Sequence, residues 1–250
     1  MQQQPKPKVK TAAGLAIGDE LLSGRTRDKN ISHLANFLTL KGIDLREVRI
    51  VADQQSAIIE ALNALRERYD YVFTSGGIGP THDDITADAV AAAFDVTIDH
   101  DQRTVTILEE HYREREMEFT TARKRMARIP DGAKLIENKV SKAPGFILGN
   151  VHVMAGVPSV FQAMLEAIDP LLEGGAKMLS ETIECEFGEG TIGDGLAEIQ
   201  KAHTETSIGS YPKFDGKQFS TQIVVRGRIS EKISDAKVDI VGLLERLRNN

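Results

Sequence analysis

The chain has 250 residues, 41% hydrophobic and 27% charged, which suits one large globular domain or a domain with an appendage. Its formal net charge of -6 excludes a nucleic-acid binder that works through a basic face, but not small anions held by backbone groups. Cys185 is the only cysteine, which excludes an intrachain disulfide and a cysteine-based zinc cluster and fits a reduced, cytoplasmic setting. No run approaches the roughly 18 apolar residues of a membrane span. The polar start, Met1 to Lys8, lacks a signal-peptide core and reads as a frayed tail.

Val9 to Ile17 reads as a first strand and ends at Gly18-Asp19, a turn signal. Asp28 is placed to cap a helix carrying Ile31, Leu34, Ala35 and Leu38, closed by Gly42. Ile43 to Val51 is a second strand, running into Ala52-Asp53. Ile58, Ala61, Leu62 and Leu65 mark a second amphipathic helix, and Asp70 to Thr74 a third strand. Alternation of this kind predicts a parallel sheet with helices on its faces. All carboxyl ends of such strands lie on one edge, where ligands bind. Gly18-Asp19, Asp53 and the segment after Thr74 are therefore expected to meet there.

That segment is Ser75-Gly76-Gly77-Ile78-Gly79-Pro80-Thr81-His82-Asp83-Asp84-Ile85-Thr86, and the helix Ala87 to Phe94 follows. Gly76, Gly77 and Gly79 permit positive φ and close approach of a phosphate to the backbone, and free amides at a helix start suit the same anion. Adjacent acids oppose a bare phosphate, so a cation is expected between them and the ligand. Asp84 and Asp53 are the metal candidates, with Asp83 beside them; Asp84 is also placed to cap the helix. His82 is a candidate proton shuttle. Thr81, Thr86 and Ser159 are candidate hydroxyl donors to phosphate. Lys142 is read either as a phosphate contact or as a solvated side chain.

Asp95 to Asp99 is ambiguous, and Asp101 to Glu116 reads as a helix. Glu109 to Arg128 is a mixed-charge tract, read as a solvated helical surface or lid. Pro130-Asp131-Gly132 is a turn and Ala133 to Glu137 a candidate strand. Phe146 to Leu148 and Val151 to Met154 flank Gly149-Asn150, a hairpin signal. Ala155-Gly156-Val157-Pro158-Ser159 is a further strand-to-helix junction and a second candidate wall. Its helix carries Val160, Met164, Leu165, Ile168 and Leu172. Glu173-Gly174-Gly175 marks a boundary between residues 9–173 and 176–250. Beyond it come a strand (Thr182 to Phe187), a helix (Gly193 to His203), two strands (Thr206 to Tyr211 and Phe219 to Arg226, joined by Pro212 to Gly216) and a last helix. This is a small α+β module. Gly190-Thr191-Ile192-Gly193 has GxxG form, but Glu189 and Asp194 flank it with negative charge, which argues against a nucleic-acid clamp.

Taken together, Gly18 to Gly24, Asn30, Val51-Ala52-Asp53, Gly76 to Thr86, Ala143 to Phe146 and Gly156 to Ser159 resemble the molybdopterin-binding (MoCF) domain of MoaB and Mog proteins. Within that family the chain looks most like the front part of CinA, the competence/damage-inducible protein. CinA's final amidohydrolase domain has no counterpart here. The resemblance implies a three-layer α/β fold with a mostly parallel sheet, followed by a small KH-like module. It implies molybdopterin or an adenine nucleotide as ligand and a divalent metal, Mg²⁺ or else Mn²⁺ or Co²⁺. It adds Gly18, Asp19, Asn30 and Gly156 to the ligand contacts and implies a homo-oligomer. The activity implied is metal-dependent cleavage of a nucleotide pyrophosphate, of the ADP-ribose or FAD type. The family usually has Pro-Gly where Ala155-Gly156 stands and often Glu where Val160 stands. A non-catalytic molybdopterin carrier or sensor is therefore the alternative.

Overall fold

The first strand, β1 (Lys10–Ile17), is apolar along nearly its whole length, and Ala12, Ala13, Leu15, Ala16 and Ile17 are all at most 3% exposed in the computed structural model. A strand of that kind belongs in the middle of a parallel sheet, covered on both faces. The structure describes residues 8–214 and 219–249 and divides into two compact units, one of Val9–Gly175 and one that begins at Ala176.

In the first unit β1 leads through a short helix α1 (Asp19–Leu22) and α2 (Asn30–Lys41) to β2 (Ile43–Val51). Then come α3 (Gln55–Arg66), β3 (Tyr71–Ser75), α4 (Thr86–Phe94), β4 (Ile98–His100), α5 (Gln102–Glu114), α6 (Thr121–Lys124), β5 (Arg128–Pro130), β6 (Lys134–Ile136), β7 (Gly145–Leu148), β8 (Val151–Met154) and α7 (Pro158–Ile168). The six-stranded sheet runs β2-β1-β3-β8-β7-β6. It is parallel from β2 through β8 and antiparallel at β7 and β6. The carboxyl ends of β2, β1, β3 and β8 thus share one edge.

Side chains alternate between two cores, as the pleat requires. Ala13, Leu15, Ile17 and Val72 face Ile58, Leu62 and Leu65 of α3 and Ala89 and Val90 of α4. Ala12, Phe73 and Met154 face Leu34 and Leu38 of α2 and Phe161, Met164, Leu165 and Ile168 of α7. This is the three-layer, mostly parallel α/β architecture expected from the alternation. The β7–β8 turn is held by Asn150, whose Nδ2 donates to the carbonyls of Arg66 and Tyr69, both at 2.9 Å. Two local expectations differ. Helix α7 stops at Ile168 and a 3₁₀ turn over Asp169–Leu171 follows, because Pro170 cannot continue the helix. Leu172 therefore packs from beyond the helix rather than on its face. The mixed-charge tract is not one helix: α5 ends at Glu114 and α6 restarts at Thr121, capped by the Thr120 hydroxyl, which accepts from Arg123 N at 3.3 Å.

The second unit is β9 (Leu179–Cys185), α8 (Glu189–Ala202), β10 (Thr206–Phe214), β11 (Phe219–Gly227) and α9 (Ser230–Arg248). Its antiparallel three-stranded sheet is ordered β10-β11-β9. Cys185, Ile223 and Val225 pack on Ile192 and Ile199 of α8 and Ile233, Ala236, Ile240 and Leu244 of α9. Gly190 to Gly193 lie inside α8, not in a loop. The expected connection Pro212 to Gly216 begins within β10, and residues 215–218 lie outside the described residues.

His152 on β8 is buried in the larger unit, stacked on Phe73 at 4.9 Å and edge-on to Tyr71 at 5.9 Å. Its Nδ1 is buried without a partner among the described residues. Burial disfavours the imidazolium and lowers its pKa to about 4. The unfolded chain takes up that proton near pH 6.5 and the folded chain only near 4, so stability falls as pH drops through this window. At pH 5 the loss attributable to this one group is expected to be about 2 kcal/mol. Denaturant unfolding at pH 7 and pH 5 checks it: the pH 5 penalty should shrink by that amount in His152→Gln.

Candidate functional site

The site is built from strand exits. At the end of β1, Gly18 N donates to the Val51 carbonyl at 3.1 Å, which ties the exits of β1 and β2 together. The next amide, Asp19 N, donates to Asp53 Oδ2 at 2.9 Å. Asp53 is half-buried, and its pKa is raised first by that burial and then by the carboxylates of Asp19, Glu20 and Asp83; the Asp19 amide opposes the shift.

At the end of β3 the backbone turns through Gly76 (φ 110°) and Gly77 (φ 69°). A Cβ on Gly76 would lie 2.3 Å from the Ile17 carbonyl oxygen, and one on Gly77 would lie 2.1 Å from Thr86 Oγ1. Only glycine fits either place. The loop then closes on the start of α4. Thr86 N donates to the Gly77 carbonyl at 2.9 Å and Thr86 Oγ1 to the Gly76 carbonyl at 3.0 Å. Within the loop, Asp84 Oδ2 accepts from Thr81 N at 2.8 Å and Thr81 Oγ1 at 2.5 Å. Asp84 thus bends back onto the loop instead of capping α4, where Ile85 holds the cap position.

At the end of β8, Gly156 packs so closely that a Cβ would sit 3.3 Å from Gly76 Cα. Asn30, the first residue of α2, joins the exits. Its Nδ2 donates to Ser75 Oγ at 2.8 Å and to the Gly156 carbonyl at 2.7 Å, while its Oδ1 is buried with no partner among the described residues.

These elements enclose a cleft of about 670 Å³. Gly18, Asn30, Asp53, Gly76, Gly77, Gly79, Thr81, Asp83, Asp84 and Gly156 all line it. Others in the expected set stand elsewhere. Asp19 supplies its amide to Asp53 but does not line the cleft, and His82 is exposed outside the lining. Thr86 is wholly buried behind the loop, with its hydroxyl used on Gly76. Ser159 is exposed at the start of α7, away from the lining, as is Lys142 in its own loop. Sequence reading missed Ser75, Met126, Arg27, Lys29 and a wall around Asn138. The Asn138 side chain shapes that wall by donating to Ser141 Oγ at 2.6 Å and Ala143 O at 2.9 Å and accepting from Val140 N at 2.9 Å. An Asn three residues before a Ser is a turn signal that points to it.

Among the described residues no group of three or more His, Cys, Asp or Glu converges to hold a metal alone. Asp53 and Asp84 each engage one oxygen, Oδ2, with a donor and keep Oδ1.

The fold and cleft define a class: α/β proteins that gather a ligand site at the carboxyl edge of a mostly parallel sheet. The sequence profile described as "Probable molybdopterin binding domain" matches residues 13–174, and the chain belongs to that family. A second profile, "FAD synthase, middle domain", matches residues 177–248. A protein of Archaeoglobus fulgidus is 30% identical over 89% of this chain and 93% of its own length. A probable FAD synthase of Caenorhabditis briggsae is 28% identical over 97% of this chain but only 51% of its own. The solved structure of CinA from Thermoplasma acidophilum, described as a protein of unknown function, is 32% identical with a TM-score of 0.60, covering 65% of this chain and 97% of that one. No described helix is long and apolar enough to cross a membrane.

Thr86 is expected to act on the loop's stability and not as a ligand donor. Thr86→Val leaves the buried Gly76 carbonyl short of a donor and should cost about 1–3 kcal/mol without any ligand present. Chemical denaturation of the free protein measures this; an unchanged midpoint would contradict the clamp.

Proposed function

We propose that the cleft binds molybdopterin or an adenine nucleotide by its phosphate, and that the protein cleaves a nucleotide pyrophosphate in a divalent-metal-dependent way. One observation carries the reading: a glycine turn that no side chain can enter and two aspartates with a free Oδ1 each line the same cleft. The family, whose printed description is a probable molybdopterin-binding domain, supports a phosphorylated ligand. The match of residues 177–248 to a FAD synthase domain supports FAD among the substrates to try.

In this reading the amides of Gly77 to Gly79 hold the phosphate, while the Gly76 amide is engaged by the Met154 carbonyl at 3.1 Å. Asp53 and Asp84 would hold Mg²⁺, Mn²⁺ or Co²⁺, which when bound would offset charge on the phosphate oxygens. Thr81 fixes the Asp84 carboxylate through two donors, so that it does not swing toward solvent. Asp83 lines the cleft beside Asp53 and Asp84 as a third carboxylate for the cation. The apolar side of the lining, with Ile78, Met126 and Val157, suits a flat ring.

A non-catalytic carrier or sensor is the second reading. It is favoured by Ala155 and Val160, apolar residues lining the cleft where the resemblance leads one to expect proline and glutamate.

The test is incubation with ADP-ribose, FAD and ATP in the presence of Mg²⁺, Mn²⁺ or Co²⁺. Wild type should cleave at least one of them, and EDTA should abolish turnover. Asp84→Asn and Asp53→Asn should each slow it on the order of 10²-fold, as loss of one transition-state contact does. Cleavage by Asp84→Ala at the wild-type rate would refute the mechanism. Calorimetric binding without turnover would select the carrier.

A further inference from the structure

The cleft carries charge of both signs, and its positive part has no role in the reading above. Arg27 and Lys29 both line it and both are exposed. Some cations elsewhere in this unit are engaged by neighbouring carboxylates. Arg128 meets Asp88 at 2.6 Å, Lys41 meets Asp169 at 2.9 Å and Arg49 meets Glu47 at 2.8 Å. Among the described residues Arg27 and Lys29 have no such partner. Asp28, between them, also lines the cleft and keeps its charge, but it turns Oδ1 to the Ile31 amide at 2.8 Å and makes no ion pair with either neighbour. Helix α2 spans 12 residues with no acid in its first turn, so the positive end of its dipole adds to the potential at the same place. The charges acting on Asp53 are those of Asp19, Glu20 and Asp83, all acidic.

We infer that Arg27 and Lys29 form a second anion subsite, which takes a further phosphoryl group of a ligand whose first phosphate lies on the glycine loop. This rests on the phosphate-binding reading above and narrows it. A ligand with a single phosphate meets the glycine turn alone. One with two joined phosphoryl groups also meets a guanidinium fork and an ammonium, which line the same cleft just ahead of α2. The cleft therefore selects diphosphates over monophosphates of the same nucleoside.

The experiment compares AMP with α,β-methylene-ADP, a diphosphate that is not cleaved, by calorimetry with Mg²⁺ present. It uses wild type, R27Q/K29Q and the charge reversal R27E/K29E, with melting curves to confirm folding; Asp28 is left in place to cap α2. R27Q/K29Q is expected to bind AMP within about twofold of wild type and the diphosphate about tenfold more weakly, the loss of charge-assisted hydrogen bonds. R27E/K29E should enlarge that gap, and the salt dependence of diphosphate binding should become shallower in both variants. Equal diphosphate affinity in wild type and variants overturns the subsite. So does an equal loss for AMP and the diphosphate, which would make the pair a general attractor. If wild type binds neither compound, the glycine-loop reading itself fails, and the subsite with it; binding of AMP by wild type separates the two failures.

Discussion

The contact on which the cleft depends is the one between Gly76 and the Ile17 carbonyl. The exit of β3 lies so close to the exit of β1 that a single methyl group would stand 2.3 Å from that oxygen. Gly156 then packs against Gly76, so the exits of β1, β3 and β8 draw together. A loop leaving such a junction has to turn at once, and it does so with positive φ at Gly76 and Gly77. Thr86 fixes the return with its amide and hydroxyl. Backbone conformations of this kind cost free energy wherever side chains are present, and they persist where the surrounding structure dictates them.

Polar groups at the junction follow the same logic. Asn30 gives both hydrogens of its amide to the walls and is left with a buried oxygen that has no partner among the described residues. Asp53 is stacked among like charges and has its pKa raised, although it rests on a donated amide. Such departures from full satisfaction are what a binding site costs a fold. Away from the cleft both cores are mainly apolar, with His152 and Thr74 as buried polar exceptions, and the helices that cover them follow the sheet's alternation.

Much of this was legible in the sequence because periodicity and burial act locally. Ile43 to Val51 is a strand with the bounds its apolar pattern announces, and Gly149-Asn150 is the hairpin its residues require. The gathering of Gly18, Asp53 and the glycine loop followed from strand direction alone. What sequence did not carry is which way a side chain turns once the chain folds. Thr86 looks like a donor beside the phosphate, yet it is the first residue of α4 and points back at Gly76. Asp84 looks like a cap, yet Thr81 three residues earlier offers two donors and captures it. Arg27 and Lys29 look like ordinary flanks of a capping aspartate. Their place in the cleft depends on how α2 meets the exits of β3 and β8 through Asn30, which no local pattern encodes.

The most direct measurement is a crystal structure with α,β-methylene-ADP and Mn²⁺, using the anomalous signal of the metal. The expected result is a phosphoryl group within hydrogen-bond distance of the Gly77–Gly79 amides and a manganese peak contacting Asp53 and Asp84. A nucleotide bound outside this cleft, or a metal held by neither aspartate, would contradict it.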